Sequence, residues 1–230
     1  VWLGKVSHGG AALGEASHGK VLLNARKRDN GNYATDRRRR NNKEQPMSEM
    51  KVFRIIGISP LLTNNPSSMK RVDEGIGTKK IPTPEDEAAA KLYRDDNGFY
   101  ILSEAFRSAI IGSGGGASGK KIGKFSAASR VSAGMFTVEP HATLLDPQTL
   151  KPLTTYQIDT RRAVVQRQGV LRSRPMFTPW AVRLPVEIDT DFVTANHILE
   201  LLNLSGKIAG VGDFRPQRKG TFGRFKAELE

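Results

Sequence analysis

Hydrophobic and polar positions alternate most cleanly over Ala181–Ile188, where Val182, Leu184, Val186 and Ile188 face one way and Arg183, Pro185 and Glu187 the other. A period of two is that of a half-buried strand. Upstream, Lys51–Ser59 is β-branched and apolar and predicts a strand that Pro60 ends. Glu104–Ile111 sets Phe106, Ala109 and Ile110 on one helical face behind Ser103, a natural N-cap. A second helix follows the alternating strand. Ile198, Leu201, Leu202 and Leu204 lie along it, Thr194 or Asp191 caps it, and Gly206 is its expected stop. Thr221–Leu229 reads as the closing strand. Weaker patterns predict a short helix over Glu85–Tyr93, a turn at Asn97-Gly98 leading into Phe99-Tyr100-Ile101, and a strand over Val131–Val138. Tyr156–Arg174 reads as two arginine-laden strands or a hairpin, broken near Gly169.

With insertions set aside, the order is strand, helix, strand, strand, helix, strand. That is the βαββαβ pattern of an α+β, ferredoxin-like (RRM-like) fold, whose four-stranded sheet is the platform of RNA-recognition modules. The insertions fall at 59–98 and 139–180, within a single domain spanning 47–230. Asn64–Pro84 and Gly112–Lys124 are expected to be mobile, the second also basic. Residues 1–46 sustain no period. They repeat Ser-His-Gly at Ser7-His8-Gly9 and Ser17-His18-Gly19 and run into Arg37-Arg38-Arg39-Arg40, a disordered basic tail or an over-extended start ahead of Met47.

The net charge of +13 changes the picture. Residues 1–46 hold ten Lys/Arg against four Asp/Glu, and the remainder 26 against 19, so the folded part is itself basic and calls for a polyanionic partner. There is no cysteine, which excludes disulfides and thiolate chemistry. No apolar run approaches the roughly 20 residues that span a bilayer. A cytoplasmic protein without membrane partners, cofactor or metal is expected.

Two basic constellations carry the candidate chemistry. The first is the glycine-rich run near the C-terminus, where Gly210, Gly212, Gly220 and Gly223 alternate with Phe214, Arg215, Arg218, Lys219 and Arg224. Permissive backbone, guanidinium groups and flat rings are what a phosphate chain with stackable bases requires; Phe222 and Phe225 equally suit a core. The second is the arginine ribbon Arg161, Arg162, Arg167, Arg172 and Arg174, rich in the fork-shaped cation that grips phosphates. Its alternative is a solvated strand whose arginines pair with acids from elsewhere. Exchanging Arg172 and Arg174 for Glu is expected to weaken binding without unfolding. Gly114–Lys120 matches seven positions of a P-loop, but Lys121 stands where the magnesium-binding Ser or Thr belongs, and the run follows a helix rather than a strand. Nucleotide hydrolysis is therefore not expected; Lys120 and Lys121 remain candidate phosphate contacts. No histidine pair has metal-ligand spacing. His141 is the one candidate general base outside the tail and the last helix, and Asp213 a candidate acid.

A glycine-rich loop between the last helix and last strand of a ferredoxin-like domain resembles the RAMP superfamily, the RNA-binding proteins of CRISPR-Cas systems. Here that loop is Gly206–Gly223. The chain looks most like the backbone subunits that polymerise along guide RNA, which carry a long insertion between the inner strands, as residues 139–180 are here. The resemblance covers roughly 51–230 in topology and only the loop in sequence. Ile58-Ser59-Pro60-Leu61-Leu62, Arg172-Ser173-Arg174-Pro175 and Gly212-Asp213-Phe214-Arg215-Pro216 also look like segments of phage and prophage proteins. The resemblance implies a non-catalytic protein that binds single-stranded RNA or DNA, guide RNA foremost. It would self-associate along the strand with other ribonucleoprotein subunits, with Phe214 or Tyr156 stacking on bases. The chain departs from that family in being shorter than most such subunits and in having no identifiable RNA-processing histidines. The alternatives are a metal-free RNA endonuclease using His141 with a nearby acid or Lys, and a phage virion or assembly protein.

Overall fold

Phe53 and Ile55 are fully buried along β1 (Ser48–Gly57), while the alternate positions Val52, Arg54 and Ile56 are only partly covered, the alternation of a strand with one face on the core. The computed structural model describes residues 48–66, 82–165 and 168–230. After β1 come β2 (Leu61–Leu62), α1 (Pro84–Ala90), β3 (Arg94–Asp95), β4 (Gly98–Leu102) and α2 (Glu104–Ile111). Next are β5 (Lys121–Ile122), β6 (Phe125–Ser126), α3 (Ala127–Gly134), β7 (Met135–Thr137) and β8 (His141–Thr143). The chain then forms β9 (Gln157–Val165), β10 (Gln168–Phe177), β11 (Ala181–Asp189), α4 (Ala195–Ile208) and β12 (Phe225–Leu229). The architecture is mixed α/β, with four α-helices and several antiparallel sheets among the described residues.

The largest sheet has the order β12-β1-β11-β7, each neighbour antiparallel. Its register places Phe53 opposite Leu184 and Leu229, and Ile55 opposite Val182 and Ala227, so one face is continuously apolar. Phe106 and Ile110 of α2, Val131 of α3, and Ile198 and Leu202 of α4 complete this core. The other face is open at one end: Met50, Glu187 and Phe136 form one row across three strands, and Met50 and Phe136 are exposed, whereas Arg54 farther along reaches the Pro147 carbonyl. Two smaller three-stranded sheets, β2-β10-β9 and β3-β4-β8, come largely from the expected insertions. Trp180 seals the corner between β10 and β11, its ring against Gly57 and its indole N–H donating to the Ser59 carbonyl at 2.8 Å.

Several elements depart from expectation. Val131–Val138 is not one strand: α3 occupies Ala127–Gly134 and only Met135–Thr137 is extended. Ala127, Ala128 and Ala133 are strong helix formers, and they outweigh the single β-branched Val131, which is buried as a helical residue. Ser103 sits at the N-cap of α2 but makes no side-chain capping bond, and its hydroxyl is buried. Thr194, by contrast, caps α4 in a reciprocal box with His197. The arginine segment, by contrast, is a hairpin, one of the two expected forms, with Val165 paired to Gln168 and Gly169 to Val164 within the ladder. Part of the glycine run expected to be mobile is packed: Gly115, Gly116 and Ala117 are buried, and the last two hydrogen-bond back to Ala109 and Ile110 of α2.

Gly206 does not end α4, which continues to Ile208. It is the point where the helix presses on β12, and a Cβ there would overlap the Phe225 carbonyl oxygen. Exchanging a helix-interior glycine for alanine ordinarily stabilises by about 1 kcal/mol. Gly206→Ala is expected to reverse that sign and lower the thermal midpoint, as circular dichroism melting will register.

Candidate nucleic-acid interface

The chain leaves α4 and folds back on itself before β12. Left-handed backbone at Gly210, Gly212 and Gly223, with φ of 66°, 76° and 65°, makes the reversal possible. Val211 N–H donates to Gly223 O at 2.9 Å, Gly223 N–H to Pro60 O at 2.8 Å, and Asp213 N–H to Leu62 O at 2.8 Å. A side chain at Gly220 or Gly223 would overlap the carbonyl oxygen of Phe214 or Val211. These glycines therefore serve the approach of chain to chain. The amides of Gly210, Gly220 and Gly223 donate inward, to Ser205, Arg215 and Pro60. Phe214 and Lys219 also hold positive φ, a strain of order 1–3 kcal/mol each that persists where packing over-determines it.

The β9–β10 ribbon lies against this loop. Its register sets Asp159, Arg161, Arg172 and Arg174 on one face, as the period of two required, with Arg161 directly opposite Arg172. Like charges so placed repel, and acids from distant parts of the chain relieve them. Arg174 is 9% exposed, its Nε donates to Asp213 Oδ2 at 2.5 Å, and its guanidinium lies 5.2 Å from the Phe214 ring. Arg172 pairs with Glu87 of α1 at 3.2 Å. Arg161 makes two hydrogen bonds to Asp159 and lies 4.5 Å over Phe222. Phe222 and Phe225 are buried, so the core reading holds for both. Arg167 lies outside the described residues. Arg162, Arg218, Lys219 and Arg224 are exposed and have no acidic partner among the described residues.

Between the loop and α2 runs a trough made of three depressions that share Arg215. One end, about 280 Å³, is bounded by Asn64, Tyr93, Ile101, Ala105 and Asp213; the other, about 410 Å³, by Ser108, Gly112, Ser113, Gln217 and Arg218. Arg215 is fixed by its own neighbours, Nη1 donating to the Gly212 carbonyl at 2.9 Å and Nε to Gln217 Oε1 at 3.1 Å. Gln217 in turn donates to Ser113 O, tying the loop to the end of α2. Burial, and then the charge of Arg218, pull the Arg215 pKa below the ordinary arginine value, against an opposing pull from Asp213. The guanidinium remains charged at any working pH, so an anion arriving between Arg215 and Arg218 relieves their repulsion. Sequence patterning did not single out α2, Tyr93 or Gln217 for this site, and nothing local marks them; their role comes from where folding places them.

The remaining candidates lie apart from the trough. Lys120 and Lys121 border a separate cleft against His197, Glu200 and Leu201, with no lining residue in common with it. His141 stacks on Tyr100 at 3.8 Å, and its Nδ1 sits 3.0 Å from Asp95 Oδ2, so the acid beside it is Asp95 and not the candidate Asp213, which pairs with Arg174. Tyr156 packs edge-on against Phe99 and borders the core. Among the described residues no group of three or more His, Asp or Glu side chains is placed to hold a metal ion, and no helix is long and apolar enough to cross a membrane. No protein-family model matches the chain, and no curated protein matches it in sequence.

Glu87 is the acid on which the ribbon's anchorage turns. Its carboxylate receives Lys91 Nζ at 2.7 Å, the Ser173 amide at 2.8 Å and Arg172 at 3.2 Å. Burial pushes its pKa up, but those three donors outweigh burial and hold it below the usual carboxylate value. A depressed folded-state pKa means that stability is fully present above the unfolded value and is lost as pH falls through the folded one. Glu87→Ala is expected to cost about 3–5 kcal/mol at neutral pH, because it strands buried Lys91. Glu87→Gln should flatten the acid limb of the thermal midpoint measured against pH.

Proposed function

We propose that this chain binds single-stranded nucleic acid, guide RNA foremost, without cutting it, along the trough between α2 and the glycine-rich loop. It does so as a cytoplasmic, self-associating subunit of a CRISPR-type ribonucleoprotein or a phage-encoded counterpart of one. The observation that carries the reading is the placing of Arg215 and Arg218 together in one cleft, with Arg218 exposed and without an acidic partner among the described residues. Fixed guanidinium groups with unspent charge suit phosphates. The trough is too small for a duplex and has one aromatic side chain, Tyr93, at its border, which suits a single strand. The strand order β12-β1-β11-β7, with α2 and α4 as crossovers, supports a ferredoxin-like core within this reading. The open sheet face with Met50 and Phe136 exposed suits contact between copies of the chain.

The ribbon arginines take a different role from the one composition suggests. Arg174 and Arg172 hold the ribbon to the loop and to α1 through Asp213 and Glu87, so exchanging them for Glu breaks internal ion pairs and lowers stability. They are poor probes of binding. Arg218, which lines the trough, and the exposed loop cations Lys219 and Arg224 are better ones.

A second reading follows from the His141–Asp95 pair. A carboxylate on Nδ1 orients the ring and leaves Nε2 to act as a base. It predicts cleavage of RNA without magnesium, abolished in His141→Ala.

The test begins with the absorbance ratio at 260 and 280 nm of the purified chain and the nuclease sensitivity of what co-purifies. Protected fragments of regular length are the expected result. Binding should weaken linearly in log–log salt titration, with a slope of about −0.7 per neutralised phosphate. Arg218→Ala with Arg224→Ala should reduce that slope by about 1.4 while leaving the melting point near that of the parent. Clean protein that ignores added single strands at low salt would exclude this function and favour an assembly protein.

A further inference from the structure

The two ends of the trough differ in chemistry. The Arg218 end is cationic and polar. The Tyr93 end shares Arg215 and adds an apolar lining of Ile101, Leu102 and Ala105, one aromatic side chain, and Asp213. An apolar lining gives a phosphate nothing, and a carboxylate held by Arg174 keeps acceptor lone pairs for a neutral donor. Both suit a flat ring system with a hydrogen-bonding edge. At about 280 Å³ the cavity lies just below the range of roughly 300–1,000 Å³ typical of ligand pockets, enough for one base and too little for a stacked pair.

We propose that the Tyr93 end of the trough holds a single unstacked base of the bound strand, with Tyr93 as its stacking platform and Arg215 directing the adjoining phosphate toward Arg218. The inference rests on the single-strand reading above and adds to it a base subsite. Tyr93 is braced from behind: its ring centroid lies 5.5 Å from that of Tyr100, which is itself stacked on His141. Burial first, and Tyr100 second, hold the Tyr93 phenol above its ordinary pKa, so it stays neutral beside a polyanion. Asp213 accepts from Arg174 through Oδ2 and from the Phe214 amide through Oδ1, which fixes the carboxylate that faces the base edge. Asn64, exposed at the rim, supplies both a donor and an acceptor to that edge.

The test is a double-mutant cycle by fluorescence anisotropy, using the full chain and Tyr93→Ala against a base-bearing single strand and an abasic strand of equal length. Stacking lost at one base is expected to weaken the base-bearing strand roughly 5- to 150-fold in Tyr93→Ala. The abasic strand should bind both proteins alike, and the salt slope should not change because no phosphate contact is lost. Tyr93→Phe, which keeps the ring, should restore binding to within about 2-fold. Should Tyr93→Ala fold poorly, the unaltered chain still decides: equal affinity for base-bearing and abasic strands overturns the base subsite while leaving single-strand binding intact. No binding of either strand at low salt overturns both.

Discussion

Everything in the trough depends on the close antiparallel approach of residues 210–213 to 220–223. Val211 and Gly223 share a hydrogen bond, and Gly223 and Asp213 reach on to Pro60 and Leu62, so the loop is sewn to the end of β1 and to β2. Only glycine admits backbone at that separation. The consequence is rigidity in a segment that composition alone marks as flexible. Phe214 and Lys219 are forced into left-handed backbone by the same folding, and Arg215 is set facing α2 with two of its nitrogens already engaged. A cation so prepared loses little freedom on meeting a ligand.

Charge is apportioned with comparable economy. The ribbon presents Arg161 directly opposite Arg172, an arrangement that is unfavourable alone, and folding brings Glu87 and Asp213 to it from 85 and 39 residues away. Those ion pairs hold α1 and the loop to the ribbon. The arginines so engaged hold these segments together, whereas the basic side chains without an acidic partner among the described residues are spread over the loop at Arg218, Lys219 and Arg224, the ribbon at Arg162, and Lys120, Lys121, Lys124, Lys151 and Lys207. Net charge therefore overstates what is available for a ligand.

How much of this is legible beforehand varies with the range of the interactions involved. β11 reads without ambiguity because its alternation is strict and one face is entirely buried; α2 reads equally well because Phe106, Ala109 and Ile110 recur at helical spacing. Both are local signals. α3 is missed because small residues, not an apolar stripe, define it. Gly206 is misread because a helix stop and a helix–strand crossing both call for the same residue, and only the position of Phe225 separates them. For the site, the loop is marked by composition, but the pairing of Arg172 and Arg174, the place of Tyr93 and the meeting of His141 with Asp95 are contacts between segments far apart in the chain. No window of sequence contains them.

The measurement closest to the central claim is ultraviolet cross-linking of a single strand to the full chain, followed by mass spectrometry of the attached peptides. If the trough is the binding surface, the cross-links fall on peptides from Tyr93 to Ser113 and from Gly210 to Arg224. Cross-links confined to the Lys120–Phe136 region, or to the open sheet face around Met50, would contradict it.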